Sequence, residues 1–289
     1  MARGIRGCIA VVVALVALSA CGSSSAPGAG ITAATPDAAA AGSAQSALAQ
    51  SGTLTVATDA SEAPDEYFAS DGRTIVGMEA DLATALGQVL GVQTKLVNTL
   101  FSRIVQGVTA HRYDVGISSM PVTAARRQSA DFVAYFRAGL SVFVNASNGP
   151  HIQSMSDLCG RRVAVESQTD ELQQARIQDG ECRAGGHPGV SIDPYPDEYT
   201  ATVALTSGHE DACIAPYPVA VYQVQQWGGQ LVLSTTSFAG VYGIALPKGS
   251  ALAPVLVRAV NDLISGGQYA QILAKWGLQE GAVSTASVG

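Results

Sequence analysis

Arg126 and Thr169 carry groups that could hold a carboxylate. A guanidinium presents a planar fork of donors that matches both oxygens of a carboxylate, and burial in a cleft strengthens that pair. Thr169 begins a predicted helix, whose free backbone N–H groups and dipole favour an anion. Both residues also have simpler interpretations. Arg126, next to Arg127, would be a solvated charge at a helix start, and Thr169 would be a plain N-cap.

No other motif in the sequence points to a specific reaction. There is no GxSxG, no Cys–His arrangement and no phosphate-binding loop. The histidines do not have the spacing of zinc ligands, so we predict neither a metal nor another cofactor. A general acid for catalysis would be Glu166, Asp170 or Glu62, but the sequence marks no pair of acids.

The charge balance excludes one class of partner. The sequence has 16 basic and 23 acidic residues, a formal net charge of −7. An acidic protein repels phosphate backbones, which argues against nucleic-acid binding.

The N-terminal residues predict export and a lipid anchor. An apolar run from Ile9 to Leu18 is too short to span a bilayer but fits a signal peptide. Small residues precede Cys21, as in a bacterial lipobox, so we predict a signal peptide over 1–20, acylation of Cys21 and attachment to the outer face of the cell membrane. An ordinary cleaved signal with an incidental cysteine is the alternative. Residues 21–50, rich in Ala, Gly, Ser and Thr, are predicted to form a flexible tether.

The cysteines of the mature protein predict one disulfide. Cys8 leaves with the signal and Cys21 takes the lipid. Cys159 and Cys182 lie in polar, loop-like surroundings, whereas Cys213 lies in a segment that predicts a buried strand. We therefore predict that Cys159 pairs with Cys182 outside the cytoplasm.

From Thr53 onward, short apolar strands alternate with amphipathic helices, which predicts an α/β fold with parallel strands. The predicted strands are 53–58, 92–97, 114–118, 162–165, 190–192, 212–215, 230–233 and 243–246, and the predicted helices are 78–89, 101–109, 169–178, 198–206, 217–227, 252–264 and 268–276. Two similar blocks of this kind suggest two lobes. The ligand would then lie in the cleft between them, where the strands end.

Several segments resemble the family 3 extracellular solute-binding proteins, which serve polar amino-acid ABC importers. The segments are, in order, TLTVATDAS (53–61), IVGMEADLA (75–83), YDVGISSM (113–120), TAAR (123–126), DLCGRRVAV (157–165), YGIA (242–245) and YAQILAKWG (269–277). Their order and spacing extend the resemblance from Thr53 to about Gly281.

The resemblance implies a type II periplasmic-binding-protein fold, in which two α/β lobes are joined by two crossing strands. The crossings are expected near Phe143–Asn145 and near Ala239–Tyr242. Lobe 1 would comprise 51–143 and 240–281, lobe 2 would comprise 144–239, and 282–289 would form a C-terminal tail. The implied function is the capture of an amino-acid-like or cationic small metabolite by a monomer that closes its cleft and delivers the solute to an ABC permease.

The resemblance also assigns roles to site residues. Arg126 would hold the α-carboxylate of an amino acid, and Ser119 would present its amide or hydroxyl to the ligand. Phe101 would form a wall against the ligand, and the helix that starts at Thr169 would complete the site from lobe 2. Ser119 is otherwise a turn residue, and Phe101 is otherwise ordinary helix packing.

Departures from the family pattern concern the ammonium of the ligand. Glu62 stands where an aromatic residue is common, Pro121 where a hydroxyl residue is common, and Pro216 where the ammonium-binding acid usually lies. Asp170, Asp59 or Glu62 would replace that acid, unless they are surface groups of an acidic protein. We therefore expect a ligand that is held differently from a plain α-amino acid.

Two other functions remain open. A secreted dehydratase resembling cyclohexadienyl or arogenate dehydratases would use the same two-lobed fold with a general acid in the cleft. A ligand-sensing lipoprotein would signal through a partner receptor when its lobes close.

Overall fold

The computed structural model describes Met1 and residues 31–289. The predicted signal peptide and the predicted acylation site Cys21 lie outside these residues, apart from Met1. In the described part of the chain, no helix combines the length and apolar character needed to cross a membrane.

The described chain alternates strands and helices along most of its length. The helices are α1 (Ala38–Ala47), α2 (Met78–Val89), α3 (Phe101–Thr109), α4 (Ala124–Ser129), α5 (Asp170–Ala184), α6 (Glu198–Thr206), α7 (Tyr217–Gln226), α8 (Leu252–Ser265) and α9 (Gln268–Trp276). The strands are β1 (Thr53–Thr58), β2 (Ser61–Glu62), β3 (Glu66–Phe68), β4 (Ile75–Val76), β5 (Gln93–Asn98), β6 (Val115–Gly116), β7 (Ala130–Asn145), β8 (Arg162–Glu166), β9 (Ser191–Tyr195), β10 (Ala212–Pro216) and β11 (Leu231–Pro247).

A mixed sheet runs through both halves of the molecule, in the order β5-β1-β6-β11-β7-β10-β8-β9. Strand β1 pairs in parallel with β5 and β6 at one end, and β8 pairs in parallel with β9 and β10 at the other. These parallel groups, each flanked by helices, form lobe 1 and lobe 2. The long antiparallel pair of β7 and β11 belongs to both lobes and joins them. A small sheet of β2, β3 and β4 lies outside the main sheet.

Each lobe has its own apolar core. In lobe 1, residues of α1, α2, α8 and α9 pack on one face of β1, β6, β7 and β11, and α3 packs on the other. In lobe 2, α5 covers one face of β8 and β10, while α6 and α7 cover the other. Covering both faces of a parallel sheet is the arrangement that the continuous apolar strands of this sequence require.

Strand β11 differs from its prediction because it is one strand rather than two. The sequence predicts separate strands at 230–233 and 243–246, but β11 continues between them with irregularities in its pairing to β7 near Thr235, Gly240 and Gly243. Bulges of this kind bend a strand without ending it, and their Gly and polar residues resemble a loop in sequence. The predicted crossing near Ala239–Tyr242 therefore lies within β11.

The crossing in β7 lies earlier than predicted. Leu140 to Phe143 already pair with β10 of lobe 2, whereas Val133 and Phe136 belong to the core of lobe 1. The passage between lobes therefore falls near Ala138–Leu140 rather than near Phe143–Asn145. A strand that is continuous through both lobes carries no local signal at the boundary.

The prediction of a flexible tether is wrong for residues 31–50. Asp37 caps α1 by accepting from the N–H groups of Ala39 and Ala40, and it pairs with Arg258 of α8. Ala44, on the inner face of α1, is fully buried in the core of lobe 1. Alanine is the best helix former, so a segment with few large apolar residues still forms a helix when its small side chains fit against a neighbour. Residues 21–30 lie outside the described part.

A disulfide in lobe 2 and backbone hydrogen bonds of the C-terminal tail fix two further segments. Cys159 and Cys182 form a disulfide with an S–S distance of 2.00 Å, which confirms the predicted pair, and Cys213 is a free, buried cysteine. The C-terminal tail over 282–289 joins lobe 1, because Ala134 and Phe132 of β7 exchange backbone hydrogen bonds with Ser287 and Gly289.

Candidate functional site

A cavity of about 420 Å³ lies between the lobes. Lobe 1 contributes the β2 segment, and lobe 2 contributes the ends of β8 and β10 and the starts of α5, α6 and α7. Its lining residues are Ser61, Glu62, Ala63, Glu166, Thr169, Glu171, Asp197, Glu198, Tyr199, Ile214, Pro216, Val219, Tyr222 and Gln223. The cavity lies where the parallel strands of lobe 2 end, which is the usual position of a ligand in an α/β sheet.

The cavity wall is acidic. Five carboxyl groups line it, and no Lys, Arg or His is among the lining residues of the described chain. The acidic lining residues are Glu62, Glu166, Glu171, Asp197 and Glu198. Four of them come from one edge of lobe 2, because Glu166 ends β8 and the other three stand at the first turns or caps of α5 and α6. Helix N-termini stabilise carboxylates, so this edge tolerates a concentration of negative charge.

Burial and crowding raise the pKa values of four cavity acids, Glu62, Glu166, Glu171 and Glu198. Glu62 is exposed to solvent, but the protein around it removes part of its hydration. This desolvation, followed by the charges of Glu171, Glu79, Glu166 and Asp59, raises the pKa of Glu62 to about 7. Each charged carboxylate disfavours ionisation of the next, so these carboxyl groups hold protons more readily than isolated ones, and a cation that joined them would reverse the effect.

Glu198 is the most buried of the lining acids. Its side chain is 8% exposed, and one of its oxygens accepts from the thiol of Cys213 at 3.1 Å. Burial, opposed by that hydrogen bond and reinforced by the charges of Glu166, Glu171 and Glu62, raises the pKa of Glu198 to about 8. A thiol is a weak donor, so the carboxyl group is poorly satisfied by the protein.

Arg126, Phe101, Asp59 and Asp170 come together as a second group. The guanidinium of Arg126 lies 5.2 Å from the ring centroid of Phe101 and donates to the carbonyl of Pro121 at 2.7 Å. Partial burial lowers the pKa of Arg126, and the charge of Asp170 opposes that shift. Asp59 positions Phe101 by accepting its backbone N–H at 2.8 Å. Arg126 thus keeps free donors beside an aromatic wall, as a carboxylate clamp needs.

Ser119 and Thr169 direct their groups to the protein rather than to the cavity. The N–H of Ser119 donates to Glu79 at 2.8 Å and its hydroxyl donates to Asp65 at 2.7 Å. Thr169 accepts from the N–H of Leu172 at 3.2 Å, so it caps α5. Thr169 lines the cavity, but Ser119 is not brought there.

The N-terminus of α5 differs from the expected anion site. The carboxyl group of Glu171 lies against its own backbone N–H and Thr169, and these contacts oppose the rise in pKa that burial of Glu171 causes. An acid of the protein in the first turn of α5 therefore competes with a ligand carboxylate for this end of the helix.

A second cavity of about 400 Å³ lies at the crossing strands and shares Glu171 with the first. Asp170, the segment Pro121–Thr123 and parts of β7 and β11 line it. Pro121 and Asp170 both neighbour Arg126, so the group around Arg126 lies at this side of the cleft.

Behind β2, three carboxyl groups are buried together in lobe 1. Asp65, Glu66 and Glu79 are 1%, 2% and 1% exposed, and each has one oxygen without a hydrogen-bond partner. Burial, followed by the charge of Glu79, raises the pKa of both Asp65 and Glu66 well above the usual range. Tyr135 donates to Glu79 and Ser118 to Glu66. Within the described chain, no group of three or more His, Cys, Asp or Glu side chains is arranged to hold a metal.

Sequence reasoning missed the acids that dominate the site. Glu171, Asp197 and Glu198 were not predicted as ligand-binding residues, and Glu166 was considered only as a general acid. A signal existed, because Glu166 is the last residue of β8 and the other three follow the ends of β8 and β9 in lobe 2, and strand ends of a parallel sheet meet at one edge.

Three comparisons with known proteins bear on this site. The model of the bacterial extracellular solute-binding proteins, family 3, matches residues 54–279. The arginine-binding protein ArgT of Corynebacterium glutamicum is 32% identical over 244 residues, 84% of this chain and 80% of that protein. The L-cystine-binding protein TcyJ of Escherichia coli K12 is 27% identical over 233 residues, which cover 78% of this chain and 82% of that protein. An ancestral arginine-binding protein bound to arginine superposes with a TM-score of 0.61 and 30% identity, covering 78% of this chain and 98% of that one.

Proposed function

The chain belongs to the bacterial extracellular solute-binding proteins, family 3, and from this premise we propose that its solute is a cationic, amino-acid-like molecule. Its fold is the predicted two-lobed type II periplasmic-binding-protein fold, shared with solved amino-acid-binding proteins. It is a solute-binding protein of the kind that serves ABC importers, since its relatives of similar length are amino-acid-binding proteins of such transporters.

The acidic cavity between the lobes is the observation that carries this proposal. Five carboxyl groups around about 420 Å³, without a basic lining residue in the described chain, select a ligand that brings positive charge. A neutral or acidic ligand would leave the carboxyl groups crowded and desolvated with no compensating charge. The arginine-binding relatives in two of the comparisons agree with this choice.

Arg126 supplies the complementary end of the site. Its guanidinium, held over Phe101, has the geometry to receive a carboxylate in bidentate fashion. The ligand would therefore carry a carboxylate at one end and a cation at the other. Pro216, on the cavity wall, contributes no charge. The nearby acids Glu171 and Glu198 would therefore compensate the positive charges of both the ammonium group and the side-chain cation of the ligand.

Thermal unfolding against a ligand panel tests this function. The panel contains L-arginine, L-lysine, L-ornithine, agmatine, L-cystine, L-glutamine and L-glutamate, each at 1 mM. Binding to the native state alone raises the unfolding midpoint, by about 2.7 kcal/mol of stability at a hundredfold excess over the dissociation constant. We expect shifts from the cationic amino acids and none from L-glutamate. A shift from neutral or acidic members alone would exclude the proposal.

Anchoring, oligomeric state and chemistry complete the proposal. We propose that acylated Cys21 attaches the protein to the membrane, that it acts as a monomer, and that it returns its solute unchanged. Partitioning into a detergent phase that is lost in Cys21→Ser would support the lipid anchor. A monomer mass in solution would support the monomer. Chromatographic recovery of the intact ligand after incubation would support binding without conversion. A converted ligand would favour an enzyme on the same fold.

A further inference from the structure

We infer that Glu62 of lobe 1 and Glu198 of lobe 2 form a carboxyl clamp for the cationic end of the ligand, and that closing on the cation releases protons from this pair. This inference rests on the proposed function and names two specificity-determining residues of the site. It also predicts that protons pass from the protein to the solvent when the ligand binds, which ligand binding alone does not require.

The two carboxyl groups come from opposite walls of one cavity. Glu62 stands on β2 of lobe 1, and Glu198 stands in the first turn of α6 of lobe 2. Both line the same cavity, and the charge of Glu62 is among those that raise the pKa of Glu198. A cation between them contacts both lobes at once, so its binding energy favours the closed arrangement.

Glu198 is held in a way that leaves a hydrogen-bond position for a ligand. One of its oxygens accepts from Cys213, which fixes the side chain at the cavity wall. Among the described residues, its other oxygen receives no hydrogen bond, and it is not one of the fully buried unpaired atoms, although the residue as a whole is 8% exposed. This oxygen is therefore accessible from the cavity that Glu198 lines, where a guanidinium or ammonium group could donate to it.

The surroundings of both groups favour the protonated form before the cation arrives. Glu62 faces Glu171 of α5, Glu79 of α2, Glu166 of β8 and Asp59 after β1. Glu198 faces Cys213 of β10 and three of the cleft acids, Glu166, Glu171 and Glu62. Desolvation is the largest cause of the rise in both pKa values, to about 7 and about 8, and the charges of the neighbouring acids add to it, whereas the hydrogen bond from Cys213 opposes the rise for Glu198.

Binding of the cation shifts both carboxyl groups from the protonated to the ionised form. A positive charge at hydrogen-bond distance lowers the pKa values of both carboxyl groups. Each carboxyl O–H bond that breaks gives its proton to the solvent, and the cation of the ligand replaces the proton as the partner of the carboxylate. No oxidant, reductant or other reactant takes part.

Isothermal titration calorimetry with L-arginine tests the inference directly. Titrations at pH 7 in phosphate and in Tris, which have different ionisation enthalpies, give the number of protons released. We expect about one proton or more per L-arginine bound. The pKa values in the free protein are about 7 for Glu62 and about 8 for Glu198. The affinity should therefore rise by more than about tenfold between pH 6 and 7, more slowly between pH 7 and 8, and level off above about pH 9, where both carboxyl groups are already ionised without ligand.

Isosteric variants assign the protons to these residues. Glu62→Gln and Glu198→Gln should each weaken L-arginine binding at pH 8 by about tenfold or more, and each should flatten the dependence of affinity on pH. Glu181→Gln, an exposed acid on α5 outside the cavity, is the matched control and should change neither. Unfolding midpoints of the free variants separate a binding role from a folding defect, and a purely structural role would leave the proton count unchanged.

The outcomes separate this inference from the proposed function. Tight binding of L-arginine with no proton release, or with release unchanged in both variants, overturns the clamp and leaves the function intact. If none of L-arginine, L-lysine, L-ornithine and agmatine binds, the proposed function and the clamp both fail.

Discussion

At the scale of the residue, Arg126 shows how one charge is kept available in an acidic site. Its contacts are the face of Phe101, the carbonyl of Pro121 and the charge of Asp170. These contacts orient the guanidinium without using its full set of donors, since one donor goes to Pro121. A carboxylate that arrives there gains a strong charged hydrogen bond with little reorganisation of the protein.

Replacing Arg126 should therefore damage binding far more than folding. Arg126→Ala is expected to weaken L-arginine binding by about 2–4 kcal/mol, roughly 30-fold to several hundredfold, because truncating one member of a buried charged pair leaves the other unpaired. The neighbouring exposed variant Arg127→Ala is the matched control. Calorimetric titration of both proteins provides the measurement. Equal affinity in Arg126→Ala and the wild type would remove Arg126 from the site.

The sequence predicted some of these residues and not others for a physical reason. Arg126 and Phe101 were predicted from a resemblance to a family pattern, and the structure brings them together. Glu171 and Glu198 were missed because an acid in the first turn of a helix is common and needs no ligand to explain it. Only the arrangement of several strand ends in space shows that such acids meet in one cavity.

At the scale of the element, α1 illustrates how a low-complexity segment becomes ordered. Ala40 and Ala44 are buried against lobe 1, and Thr32 and Ala34 donate backbone N–H groups to Gln271 and Gln88. The composition of this segment predicted a tether because composition does not show that a complementary surface exists on α8. The predicted order of strands and helices, by contrast, agreed well with the structure because apolar periodicity is a local property.

The cap and ion pair of Asp37 should control the docking of α1. Asp37→Ala removes the acceptor for two N–H groups and the partner of Arg258, so amide hydrogen exchange over Ala38–Ala47 should become several-fold faster. Asp71→Ala, which removes an exposed turn cap elsewhere, is the control. Unchanged protection of α1 in Asp37→Ala would show that packing alone holds it.

The buried acids between β3 and α2 should make stability depend on pH. Burial raises the pKa of Asp65 and Glu66 above that of the unfolded chain, so the folded state retains protons that the unfolded state loses. The unfolding free energy should therefore fall as pH rises from 5 to 8, by about 1.4 kcal/mol per pH unit for each retained proton.

Variants of this cluster test the assignment. Asp65→Asn and Glu66→Gln should each reduce the decrease in unfolding free energy with rising pH. Each should also make the protein more stable than the wild type at pH 8, as chemical denaturation would show. The exposed variant Glu181→Gln should keep the wild-type slope. A slope that persists unchanged in both cluster variants would place the protons elsewhere.

At the scale of the whole molecule, the two long strands β7 and β11 connect a charged group in lobe 1 to an acidic edge in lobe 2. Each lobe has its own core, so the lobes can move as rigid bodies about the crossing strands. We propose that a ligand with a carboxylate and a cation contacts Arg126 in lobe 1 and Glu198 in lobe 2, and we expect it to stabilise the closed arrangement only when both ends are present.

The measurement that tests this account most directly is calorimetric titration of the purified protein with L-arginine, L-glutamine and L-glutamate at pH 8. The account predicts one L-arginine bound per chain, with an affinity at least about 100-fold above that for L-glutamine, a difference of about 2.7 kcal/mol, and no binding of L-glutamate. Tighter binding of L-glutamine or L-glutamate than of L-arginine would contradict it, because the acidic cavity would then not be selecting a cation.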